Sequence, residues 1–167
     1  MRLISMRILL CSVALLFGAP ALAQGIAANS PRETVQVVFV CEHGSVKSLV
    51  ATEYFNRSAQ KRGLAYRAVA RGTAPDPIVP SSVREGLRSA GFDVSHFVPR
   101  LLEASDVTDA LLVVSFDQDI AKIAGGNARH VAWDNLPGVL TDYARGRDEI
   151  VGHVDELINE LTRSAAP

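Results

Sequence analysis

Val37-Val38-Phe39-Val40-Cys41-Glu42-His43-Gly44-Ser45-Val46-Lys47-Ser48 is the stretch whose reading decides the fold. Val37 to Val40 is a short continuous apolar run, the pattern of a strand buried on both faces. From Leu49 to Lys61 the apolar residues Leu49, Val50, Tyr54 and Phe55 recur on a helical repeat. Cys41 therefore opens a tight strand-to-helix loop. Such a loop aims backbone N–H groups and the positive end of the helix dipole at one spot. An anion is stabilised there, and so is a thiolate. A thiolate facing a bound oxyanion is a nucleophile facing its electrophile.

The spacing adds detail. Five residues, Glu42 to Val46, separate Cys41 from the cation Lys47, and Ser48 follows. Amides from Glu42, His43, Gly44, Ser45, Val46 and Ser48 can wrap a tetrahedral oxyanion such as phosphate. The Lys47 ammonium can neutralise charge that builds in a transition state. A Ser48 hydroxyl that donates to the sulfur favours the thiolate. Lysine is unfavourable at a helix N-terminus on dipole grounds, and a bound anion removes that objection. His43 has three readings: a donor to the oxyanion, a group that tunes the thiolate, or a loop residue facing solvent. Glu42 is unfavourable beside an anion and is read as turned to solvent.

The 167 residues suit one domain, and the formal net charge is −1. Residues 1–23 read as a secretory signal peptide. Arg2 and Arg7 are basic, Ile8 to Phe17 is apolar, and Ala21-Leu22-Ala23 is a small-residue cleavage site before Gln24. The apolar run is too short to span a bilayer comfortably, so no stable membrane insertion is expected once it is cleaved. Export to the periplasm or beyond follows. Cys11 leaves with this segment, and Cys41 remains as the sole thiol in a compartment that favours disulfides. An internal disulfide framework is thereby excluded, and the thiol is either inert in a core or functional. Residues 24–33 form a flexible lead-in and residues 34–163 a single domain. The charge pattern gives no sign of a nucleic-acid partner.

Within the domain, strand and helix patterns alternate. Strands are expected at Thr34–Val40, Tyr66–Ala70, Ala110–Ser115 and His130–Trp133. Helices are expected at Ser48–Arg62, Ser81–Ala90, Asp117–Ala124 and Arg145–Arg163, with Gly91 and Gly125-Gly126 as stops. This alternation argues for an α/β fold with a parallel sheet covered on both faces. Ligands bind such sheets outside the carboxyl ends of the strands. Cys41 and the loop after Trp133 both lie there.

With strand, loop and helix in place, the chain resembles the low-molecular-weight protein tyrosine phosphatases and the related thioredoxin-coupled arsenate reductases. The resemblance runs from about Val35 to Leu161. It includes Arg71-Gly72-Thr73-Ala74 after the second strand and Gly91-Phe92-Asp93-Val94-Ser95-His96. Leu111-Leu112-Val113-Val114-Ser115-Phe116-Asp117, Tyr143 and Arg147-Asp148-Glu149-Ile150 complete it. It implies a three-layer sandwich around a central four-stranded parallel sheet. It also implies a reaction in which the cysteine attacks phosphorus, a phosphocysteine forms, and a late-loop Asp protonates the leaving phenol. Phosphorylated proteins or small aryl phosphates are the implied partners, with no metal or organic cofactor.

Two positions depart from the family pattern. Lys47 replaces the loop arginine, exchanging a planar two-point grip for a compact charge. The late loop, Trp133-Asp134-Asn135-Leu136-Pro137-Gly138, lacks the Asp-Pro pair. Counting forward from Trp133 places the expected acid at Gly138. Counting back from Arg147 favours Asp134, with Asp142 a poorer candidate. Catalysis is accordingly assigned to Cys41, Lys47 and Asp134. Three functions stay open: a phosphomonoester hydrolase, an oxyanion-binding domain with weakened catalysis, and an arsenate reductase that borrows an external thiol.

Overall fold

The computed structural model describes residues 34–121 and 129–164. The expected signal peptide and lead-in, and residues 122–124 of the helix expected at Asp117–Ala124, lie outside them. The strands are β1 (Val35–Cys41), β2 (Tyr66–Gly72), β3 (Ala110–Ser115) and β4 (His130–Ala132). They form one parallel sheet in the order β2-β1-β3-β4. The helices are α1 (Lys47–Lys61), α2 (Ser81–Ser89), α3 (Ala104–Thr108) and α4 (Tyr143–Ser164).

The apolar run in β1 is continuous because both faces of this central strand are covered. Val37, Phe39 and Cys41 point to one face and pack with Leu49 and Phe55 of α1 and with Ile150 and Ile158 of α4. Val38 and Val40 point to the other, against Leu102, Val107 of α3, Val113 and Ile120. The result is the three-layer arrangement expected. Phe39 sits at the centre of the larger core. Its ring lies 5.7 Å from Phe55, 6.2 Å from Phe116 and 5.6 Å from Trp133.

The chain leaves β1 for β2 on one side and returns to β3 on the other. The strand order therefore switches between β1 and β3, where a crevice opens at the carboxyl ends. Cys41 ends β1, and Phe116-Asp117 follows β3 at the same edge.

Two expectations need correction. Residues 117–120 are not helical, and Asp117 has φ 51°, in the left-handed region. The reason is local: both its carboxylate and its N–H are bonded to the β4 loop. The short helix α3 has no apolar periodicity to announce it. It is held by a reciprocal cap between Glu103 and Asp106 and by the Arg71–Asp106 ion pair at 2.7 Å.

Phe39→Ala removes a fully buried ring from the contact between sheet and helices. It is expected to destabilise the fold by about 3–5 kcal/mol. Urea unfolding followed by tryptophan fluorescence measures this directly, since Trp133 packs on the same ring.

Candidate active site

The loop after Cys41 is shaped from outside by the loop after β2. Thr73 N–H donates to the Cys41 carbonyl at 3.1 Å, Ala74 N–H to Glu42 at 2.8 Å, and Asp76 N–H to His43 at 3.0 Å. Three successive carbonyls are thus engaged by the loop after β2 and do not compete for the space around the sulfur. Gly44 makes the turn at φ +65°, and its N–H reaches Cys41 Sγ at 3.3 Å. Ser48 Oγ lies 3.1 Å from the same sulfur. Among the described residues the N–H groups of His43, Ser45 and Val46 have no backbone acceptor. The first amides of α1 also lack helical partners, as at any helix start. Cys41 is buried and unbonded to another cysteine, yet its side chain lines a cleft of about 210 Å³.

The two loops approach so closely that glycine is required on both. A Cβ on Gly72 would stand 2.8 Å from Gly44 N and 2.9 Å from the Glu42 carbonyl. Neither backbone atom can retreat without undoing the cradle.

Lys47 closes the other side. Its Nζ donates to Asp117 Oδ2 at 2.6 Å and to the Leu136 carbonyl at 3.2 Å. One ammonium thus ties the start of α1 to the loops after β3 and β4. Asp117 Oδ1 accepts the Asn135 N–H at 2.8 Å, and Asp134 Oδ1 accepts the Asp117 N–H at 3.2 Å. Asp117 and Asn135 both have positive φ, at 51° and 62°. The reciprocal bonds hold these two uncommon conformations. The Lys47 hydrogen bond, joined by the Asn135 N–H, holds the Asp117 carboxyl below the usual aspartate range.

A third polar group sits on the loop itself. His43 Nδ1 is 3.1 Å from Asp76 Oδ1, and Ser45 Oγ donates to Asp76 Oδ2 at 2.6 Å. His43 lines the cleft, with its Nε2 3.9 Å from Glu42 Oε2.

Cys41, Glu42, His43, Val46 and Lys47 from the expected set line the cleft together. Gly44 and Ser48 contact the sulfur, and Ser45 supports Asp76 from behind. Asp134, expected to be the acid, is exposed, bonds the Asp117 N–H and does not line the cleft. Asp142 accepts the Arg145 N–H and starts α4. Gly138, Val139 and Leu140 form the late-loop wall, so the forward count to Gly138 finds a position that lines the cleft with Cys41. Asp117 and Asp76 are the functional neighbours that sequence reasoning missed. A hint existed in each case. Asp117 follows a strand end that faces the crevice, and Asp76 lies in the breaker-rich loop after β2.

Residues 36–162 match the family model for low molecular weight phosphotyrosine protein phosphatase. No curated protein sequence matches the chain. Among solved structures, a low molecular weight phosphotyrosine phosphatase from Vibrio cholerae O395 is 12% identical with a TM-score of 0.72. That match covers 79% of this chain and 99% of the other. A low molecular weight protein tyrosine phosphatase from T. tengcongensis is 22% identical with a TM-score of 0.69, covering 75% of this chain and 99% of that one. A thioredoxin-dependent arsenate reductase from Corynebacterium glutamicum is 18% identical with a TM-score of 0.62. There the match covers 80% of this chain and 64% of the reductase. At these identities the likeness is one of fold.

Gly72→Ala is expected to cost about 1–3 kcal/mol through forced backbone displacement. It should also weaken phosphate binding, and calorimetry together with unfolding would register both losses. Asp117→Asn is expected to cost at most about 1 kcal/mol near neutral pH, because the pair is partly solvent-screened. The folded carboxyl titrates below its ordinary value of 3.8. Its contribution is therefore complete above that value and disappears as pH falls through the folded one. Denaturation of wild type and variant from neutral to strongly acid pH should show the gap close on the acid side.

Proposed function

The chain belongs to the low molecular weight phosphotyrosine protein phosphatase family, whose members are cysteine-dependent phosphatases, and on that premise we propose that it hydrolyses phosphomonoesters through a phosphocysteine on Cys41. The observation that carries this reading is the sulfur at the floor of the cleft. Gly44 N–H lies 3.3 Å from it, and carbonyls are drawn away by the loop after β2. A phosphoryl group seated there meets amide donors on its equatorial oxygens. The sulfur lies below it, in line for attack.

Each residue then has a task. Cys41 attacks phosphorus, and the ester oxygen departs with the bonding pair. Ser48 Oγ, 3.1 Å from the sulfur, supports the thiolate before attack and after release. Amides from Glu42 to Ser48 hold the oxyanion. Lys47 lines the cleft and meets the charge that gathers on the equatorial oxygens, in exchange for part of its bond to Asp117. Asp134 serves as a support for the β3 and β4 loops. Aryl phosphates, phosphotyrosine among them, are the substrate class taken from the family. Residues 1–23 direct export, and N-terminal sequencing of the exported protein should begin at Gln24.

A second reading has its own observation. Lys47 is held at 2.6 Å by Asp117, so an incoming anion must compete with a carboxylate for it. A domain that binds phosphate and turns over slowly, or not at all, fits that competition.

Purified protein assayed with an aryl phosphate separates the two. Cys41→Ser should abolish release of phosphate while leaving phosphate binding in place. Lys47→Met should lower kcat/KM by roughly 10- to 100-fold, the loss of one hydrogen bond to a charged group. Turnover that survives Cys41→Ser would reject the nucleophile. Binding without turnover in the wild type would select the second reading.

A further inference from the structure

We propose that His43, aimed by Asp76, is the proton carrier of this cleft: its Nε2 delivers a proton to the leaving oxygen and later withdraws one from the attacking water. The proposal rests on the phosphatase reading above and names the group that reading leaves open.

The late loop presents Gly138, Val139 and Leu140 to the cleft, and none carries a titratable side chain. The acid must come from another wall. Asp117 is on the β3 side, but its carboxylate is bonded to Lys47 and to the Asn135 N–H. Those partners hold it ionised, so it has no proton to give near neutral pH. Lys47 is a paired cation. Glu42 is largely exposed, and among the described residues no hydrogen bond fixes its carboxylate. Histidine is the side chain whose ordinary titration spans the range from about pH 5 to 8.

The surroundings of His43 support the role. Asp76 Oδ1 holds Nδ1 at 3.1 Å, which orients the ring and leaves Nε2 as the exchangeable position. Asp76 is itself fixed by Ser45 Oγ at 2.6 Å, and its N–H donates to the His43 carbonyl. Imidazole and nucleophile thus line one cleft, and the Asp76 carboxylate, bonded to Nδ1, orients the base. Two carboxylates face the ring, Asp76 at Nδ1 and Glu42 at 3.9 Å from Nε2. The same cleft is lined by Cys41 and by the Lys47–Asp117 ion pair.

The steps balance. In the first, the S–P bond forms and the P–O bond to the leaving group breaks. The electron pair goes to that oxygen, which takes the Nε2 proton. In the second, water oxygen bonds to phosphorus and its proton passes to Nε2. The S–P bond breaks and its pair returns to sulfur, leaving inorganic phosphate. Water is the sole co-reactant.

The test compares two esters, p-nitrophenyl phosphate, whose phenolate leaves unaided, and phenyl phosphate, whose phenolate needs a proton. His43→Gln is expected to lower kcat/KM by roughly 100-fold or more on phenyl phosphate, the size of a lost general acid. The loss on p-nitrophenyl phosphate should be much smaller. The fall of kcat/KM at alkaline pH should vanish in the same variant. Asp76→Asn, a positioning change, should lower kcat/KM on phenyl phosphate more than on p-nitrophenyl phosphate, because the carboxylate that orients the ring at Nδ1 has gone. Thermal unfolding of both variants checks that the loop still folds. Equal losses on the two esters with the alkaline fall intact would overturn the role of His43 and leave the phosphatase reading standing. Hydrolysis that persists in Cys41→Ser would instead overturn that reading itself.

Discussion

The cleft exists because three carbonyl groups are pulled out of it. Left alone, a tight loop presents carbonyls and amides to its interior in mixture, and a carbonyl turned inward would repel an oxyanion. Here Thr73, Ala74 and Asp76 each donate an N–H to Cys41, Glu42 and His43 in turn. Each bond adds only about 1 kcal/mol to stability. Their larger effect is directional, since they leave the loop with one polarity on its inner side. The donating loop is anchored in turn, with Gly72 N–H bonded to the Arg100 carbonyl and the Gly72 carbonyl to the Leu102 N–H. Residues distant in sequence therefore set the chemistry of the sulfur.

The second layer of organisation is electrostatic. Parallel strands end at one edge, and strand order brings the ends of β1 and β3 side by side. Lys47 uses this proximity to bind Asp117 and Leu136 at once. An arginine in its place would present a planar fork to an anion; lysine presents a point charge that one carboxylate can largely occupy. The ion pair is thus both a strut between three loops and a competitor for the ligand. The same residue links the stability of the cleft to its affinity.

Departures from the family pattern gather in the cleft, while the core is conventional. Phe39 packs among aromatic rings, and the two faces of β1 are covered by separate apolar clusters. Among the described residues local rules are broken at Asp117 and Asn135, the non-glycine residues with left-handed backbones, and both lie in the Lys47 tie. Strain held by reciprocal hydrogen bonds is the expected mark of a built site. The glycine in the late loop and the lysine in the thiol loop belong to the same set of changes.

The strand, the thiol and the following helix could be read directly from the chain. Apolar continuity in Val37–Val40 and the helical repeat of Leu49, Val50, Tyr54 and Phe55 are local properties, governed by burial and backbone period. Cys41, Gly44, Lys47 and Ser48 were likewise legible, because the cradle is made of consecutive residues whose spacing carries the geometry. The partners of those residues were not. Asp76 and Asp117 lie 35 and 76 positions beyond Cys41 in the numbering, and their positions after strand ends do not say which cradle residue each one meets. Asp134 and Asp142 offered the same carboxyl chemistry on paper, yet one bonds the Asp117 N–H and the other starts α4. Which carboxylate meets which cation depends on strand order and on two left-handed residues, and these are settled only when non-local backbone hydrogen bonds form.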